Sequence, residues 1–133
     1  MILLKDVKDW LKTLEVGEHF YMGKLDAKQK KSIGVYQRKN SYEPRICIGG
    51  YDLASYDVKP ISILVHWNLD ADETEQAAWE LFEAIKNSNN VTINNVQIPF
   101  IRLLNAEPID VGTDDNGVYE RVIELDMYYT KGE

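Results

Sequence analysis

The sequence predicts an α+β domain: a mainly antiparallel, mixed β-sheet with two helices packed on one face. Three observations lead there. Ile61-Ser62-Ile63-Leu64-Val65-His66-Trp67 is a β-branched and aromatic run with the composition of a buried strand. Thr74, Ala77, Ala78, Leu81 and Ile85 then recur at helical spacing, so a strand feeds a helix that packs back on its own sheet. Finally, 118–130 alternates with a period of two. Tyr119, Ile123, Leu125, Met127 and Tyr129 fall on one side, and Glu120, Val122, Glu124, Asp126 and Tyr128 on the other. One packed face and one wet face imply an antiparallel sheet covered on one side.

Each element follows from its own residues. Leu3, Leu4, Val7, Trp10, Leu11 and Leu14 make one apolar stripe of a first helix, with Lys5, Asp6, Lys8, Asp9 and Lys12 opposite and Gly17 placed to end it as a left-handed cap. Its mixed charges suit a helix that covers a sheet and not one that lies on a membrane. His19 to Met22 reads as a short strand and 23–31 as a polar loop carrying four lysines. Those lysines lie in an acidic chain without interleaved aromatics, so they read as solvated and not as a nucleic-acid patch. Ser32 to Gln37 alternates as a strand, 38–44 is a polar turn, and Arg45 to Gly50 is another strand closed by a glycine pair. A loop over 51–60 presents Tyr51 and Tyr56, and Pro60 precedes the central strand, where its missing N–H costs least.

The second helix opens at Asp70, with Glu73 three residues on in capping-box spacing, and stops in Asn87-Ser88-Asn89-Asn90. Val91-Thr92-Ile93 and Val96-Gln97-Ile98 flank Asn94-Asn95, a hairpin signal. Phe100 to Leu104 is a further strand, 105–112 is irregular, and 113–117 is a turn before the last strand.

Composition narrows the function classes. At 133 residues the chain is expected to be a single domain over 1–133 with a sizeable core. Its net charge of −7 argues against general affinity for nucleic acid or anionic membrane. The single cysteine, Cys47, has no internal partner, which fits folding in a reducing cytoplasm, and the apolar start Met1 to Leu4 is too short for a signal peptide or a membrane span.

No catalytic constellation stands out. Ser62 and His66 share a face of the central strand with Asp70 nearby, but Ser62 is mid-strand and lacks a nucleophile elbow, so His66 reads as a hydrogen-bonded histidine at a strand end. His19 is the only other histidine, which leaves no histidine-rich metal site, and no metal or cofactor is expected. Asp70, Asp72, Glu73 and Glu75 crowd a helix start, where carboxylates offset the macrodipole. Asp110, Asp114 and Asp115 lack EF-hand spacing, and Gly49-Gly50 is too short for a phosphate loop. Trp79 points off the core stripe of the second helix, so it is either covered by a loop or an anchor for a partner, and Tyr51 and Tyr56 are further contact candidates.

Several stretches in order resemble one family: Gly23 to Asp26, Ser32 to Tyr36, Arg45 to Gly50, Ile63 to Trp67, Thr74-Glu75, and Asp115 to Tyr119. The chain from Tyr21 onward is similar to small minor capsid and tail-terminator (tail-completion) proteins of long-tailed phages that infect Gram-positive bacteria. The resemblance implies a tail-terminator-like fold and a structural virion protein with no catalytic residues. It implies a hexameric ring that caps the tail tube, meets the tube protein and the head connector, and sits in the tail or at the head–tail junction. A head-completion or stopper protein is the alternative within that class. A small cytoplasmic enzyme or ligand module using the Ser62/His66 face is the alternative outside it. In a ring traversed by DNA without specific binding, Glu120, Glu124 and Asp126 on the wet strand face are candidates to line the channel.

Overall fold

Two long strands, paired antiparallel from Tyr56↔Thr130 to His66↔Glu120, carry the centre of the fold. The computed structural model describes residues 1–38, 56–88 and 90–130. In chain order the elements are α1 (Leu4–Lys12), β1 (His19–Met22), β2 (Ser32–Gln37), β3 (Tyr56–His66), α2 (Ala71–Lys86), β4 (Val91–Ile93), β5 (Val96–Ile98), β6 (Phe100–Leu103), β7 (Ile109–Thr113) and β8 (Tyr119–Thr130). The main sheet runs β1-β2-β3-β8-β6, and β7 pairs with the first part of β8. All pairings are antiparallel except β1–β2. The expected strand over Arg45–Gly50 and the expected contact residue Tyr51 lie outside the described residues, as does the side chain of Tyr56.

Alternation sorts the sheet into two faces. Ile33 and Val35 from β2, Ile61, Ile63 and Val65 from β3, and Ile123, Leu125 and Met127 from β8 are all buried in one cluster. Val7 and Leu11 of α1 and Ala78, Leu81, Phe82 and Ile85 of α2 join the same cluster, so both helices cover that face. Each large aliphatic side chain taken from water there contributes about 1.5–3 kcal/mol. The β4–β5 hairpin adds Ile93 and Ile98 to the core, and its turn residues Asn94 and Asn95 take φ of 49° and 65°, the left-handed pair that a tight hairpin requires.

Several boundaries differ from the sequence expectation. α1 stops at Lys12, capped at its start by the Asp6 carboxylate on the Leu3 N–H at 3.0 Å, and the chain turns away through Glu15 at φ 62°. Gly17 is therefore not the helix cap. It holds φ 97°, and a Cβ there would stand 2.7 Å from Ile33 Cγ1, so it lets the chain cross the second strand closely. β3 begins at Tyr56, four residues before Pro60, so the expected loop is half strand. Pro60 is tolerated because the β2 ladder ends at Gln37↔Ile61: Arg38 N–H still donates to Pro60 O at 3.2 Å, and the bond lost to the proline nitrogen would be the return one. The 105–112 stretch expected to be irregular contains most of β7, whose register slips between Asp110 and Thr113.

The parallel β1–β2 pair needs a crossover. Residues 23–31 provide it on the face opposite the helices, where Ala27 O meets His66 and Leu25 approaches Gly34. A Cβ on Gly34 would stand 2.9 Å from Tyr36 Cε1 and 3.2 Å from Leu25 Cδ1. The missing side chain is what lets the tyrosine ring and the crossover lie flat on the sheet.

Candidate functional site

The second face of the sheet was expected to be wet, and one end of it is closed. His66 is fully buried there. Its Nε2 faces Ala27 O at 3.1 Å, and a carbonyl only accepts, so Nε2 carries a proton. Its Nδ1 faces Glu120 Oε2 at 2.8 Å across the β3–β8 register, and Asp114 Oδ2 stands 3.8 Å away. Asp114 is held by its turn: Oδ1 accepts from Asn116 N and Val118 N at 2.9 Å each. That leaves Oδ2 enclosed with no hydrogen-bond partner among the described residues. Burial first, and the Glu120 carboxylate second, raise the Tyr36 hydroxyl above its ordinary 10.0.

The suspected Ser62/His66/Asp70 grouping does not form. Ser62 and His66 share a face of β3, but the Asp70 carboxylate is bound to Asp72 N and Glu73 N as the N-cap of α2, at 2.9 and 3.1 Å. Glu73 reaches Asn68 Nδ2 at 2.8 Å, so the second half of the expected capping box goes to the preceding turn. The remaining carboxylates at this helix start also have local roles, Asp72 with Gln76 and Glu75 with Arg121.

The expected wet row of Glu120, Glu124 and Asp126 needs correcting. The three do share a face. Asp126, however, is fully buried in an ion pair with Arg38, and Glu120 is turned onto His66. Glu124, opposite Ser62, is half-buried. A row of free carboxylates is therefore not what the chain presents. Arg38 lies 88 positions from Asp126, and no local pattern links them.

Trp79 lies off the core stripe as expected, half-buried at the rim of the helix–sheet interface. Its ring meets Phe82 edge-on, 5.3 Å between centroids at 72°. It floors an open groove on the outer side of α2, edged by Asp72, Glu75, Glu80 and Glu83. At the far side of the sheet, Lys24, Lys28 and Lys30 of the crossover are exposed. Exposed apolar side chains also mark both ends of the described strand order: Met22 on β1 and Phe100 on β6, the latter packed on Tyr128 with centroids 5.5 Å apart and the rings tilted by 49°.

These features define a small α+β module whose distinctive surface is an aromatic groove with an acidic rim, at the opposite edge from a lysine-bearing crossover. Family models place it more closely: residues 5–131 match the bacteriophage tail terminator protein family, and the chain belongs to that family. It is a structural tail-completion protein and a component of the virion. A search of curated protein sequences returns no match. No described helix is long and apolar enough to cross a membrane.

Proposed function

We propose that this chain closes the finished tail tube as a ring of identical subunits, six in number, and presents the ring to the head connector. The family match over 5–131 carries this reading. The surface supports it physically. A closed ring uses heterologous contacts, so two different faces of one subunit must complement each other. The acidic, tryptophan-floored groove on α2 lies over the β8 side of the sheet, and the exposed lysines lie at the β1–β2 side. Successive subunits joined in this way set Trp79 against a neighbour, and Tyr51 and Tyr56 are further contact candidates. Glu124 faces the DNA path in this arrangement, where one carboxylate per subunit repels the phosphate backbone.

Imaging the purified chain alone and with tail tubes tests the ring directly. Trp79→Ala is the sharper probe. It should abolish or weaken ring formation while leaving the isolated fold in place. A loss of roughly 3 kcal/mol or more in monomer stability would instead mark the indole as core and remove it from the interface. Labelled protein found on the connector side of the junction, and not on the tail, would favour the head-completion alternative.

A further inference from the structure

We propose that His66, Asp114 and Glu120 form a site within one chain for a single divalent transition-metal ion of the zinc class. The tail-completion role does not call for such a site. It rests on three observations. The donor atoms His66 Nδ1, Asp114 Oδ2 and Glu120 Oε2 all lie within 4.8 Å of one another, although they come from the end of β3, the β7–β8 turn and the start of β8. The imidazole is oriented from behind, since Nε2–H donates to Ala27 O and leaves Nδ1 aimed at the two carboxylates. Such a bond from the second ring nitrogen is how metal-binding histidines are commonly positioned. Asp114 is likewise anchored through Oδ1 by two backbone N–H groups, and its enclosed Oδ2, which takes no hydrogen bond among the described residues, faces His66 Nδ1.

The spacing suits an ion with short bonds. Donors about 2.0–2.2 Å from a tetrahedral zinc stand about 3.3–3.6 Å apart. The Nδ1–Oε2 and Nδ1–Oδ2 separations of 2.8 and 3.8 Å straddle that range, and the two carboxylate oxygens stand within 4.8 Å of each other, so entry of the ion asks the carboxylates to draw together by roughly an ångström at most. One imidazole and two carboxylates favour zinc or manganese over magnesium, which prefers an all-oxygen shell. Binding releases to solvent the one proton shared between Nδ1 and Glu120 Oε2, and keeps Nε2–H on Ala27 O. A water or the second oxygen of Glu120 fills the fourth position. The ion would tie the β7–β8 turn to the central strand pair beneath the crossover.

The competing account is a buried, hydrogen-bonded His66 between two carboxylates with no metal function. Zn2+ added to the full chain distinguishes the two. Binding of one ion per chain and a raised thermal midpoint are expected. Long-range proton–nitrogen spectra of the two imidazoles should show His66 Nδ1 moving and His19 unchanged, a readout that needs no variant. Asp114→Asn and Glu120→Gln keep an oxygen for the existing hydrogen bonds and should each weaken Zn2+ binding at least about tenfold. A His66 Nδ1 signal unmoved at saturating Zn2+, a shift at His19 alone, or equal affinity in wild type and both variants would overturn the site.

Discussion

Asp126 shows how much one residue's surroundings matter. On an alternating strand it shares parity with Glu120 and Glu124, yet it is sealed against Arg38. Breaking a buried ion pair from one side leaves an uncompensated charge, so Asp126→Ala should lower stability by about 3–5 kcal/mol in urea unfolding. A loss under about 1 kcal/mol would mean that the pair is solvated. Tyr129, on the opposite parity, makes a pH prediction. Burial, and then Asp57, raise its folded pKa above 10.0. The folded state therefore holds the phenol proton more tightly, and stability is full below pH 10 and lost as pH rises through the raised value. Lys59 works the other way: burial lowers its pKa against the opposing pull of Asp6, so the unfolded chain releases that proton later and stability rises with pH below 10.5. Tyr129→Phe should flatten the decline above pH 10, checked by unfolding midpoints across that range. An unchanged slope would place the alkaline sensitivity elsewhere.

At the scale of elements, the joints carry the information. The α1–β1 joint needs Gly17 both for φ 97° and for its close pass over Ile33. Gly17→Ala adds roughly 1–2 kcal/mol for the left-handed backbone alone, and more for displacing Ile33. The variant should unfold at lower denaturant with an unchanged m-value. A neutral substitution would show that the joint can swing away from β2. By contrast, the N-cap at Asp70 and the Asn94-Asn95 turn are local devices that the neighbouring residues already specify.

For the whole molecule, the question is which surfaces meet in the assembled tail. Replacing Glu120, Glu124 and Asp126 together with lysine would put a cation beside Arg38 and another beside His66, so a failure of that protein would report on folding and not on a channel. Glu124→Lys is the clean probe, because among the described residues Glu124 forms no ion pair that the change would break. In the proposed ring the substitution should leave assembly intact and slow DNA ejection at low salt, with recovery as salt screens the contact. Normal ejection at low salt would take Glu124 off the DNA path.

The sequence by itself determined the α+β class, both helices, the hairpin and which residues share each strand face, because all of these are short-range periodicities and turn chemistry. His66 was also legible as a bonded strand-end histidine. What lies on top of a face is not a short-range property. The 23–31 crossover covers one end of the sheet opposite the helices, and pairing in register sets His66 against Glu120, 54 positions away, with the β7–β8 turn bringing in Asp114. β7 alternates Ile109, Val111 and Thr113 with Asp110 and Gly112, two poor strand formers, and its run is short, exposed and bulged, so it reads as part of a loop. Alternation tells an outward residue from an inward one only while water is what lies outside. Once chain crosses that face, carboxylates that look solvated become ion-pair partners, and only the tertiary structure decides which ones.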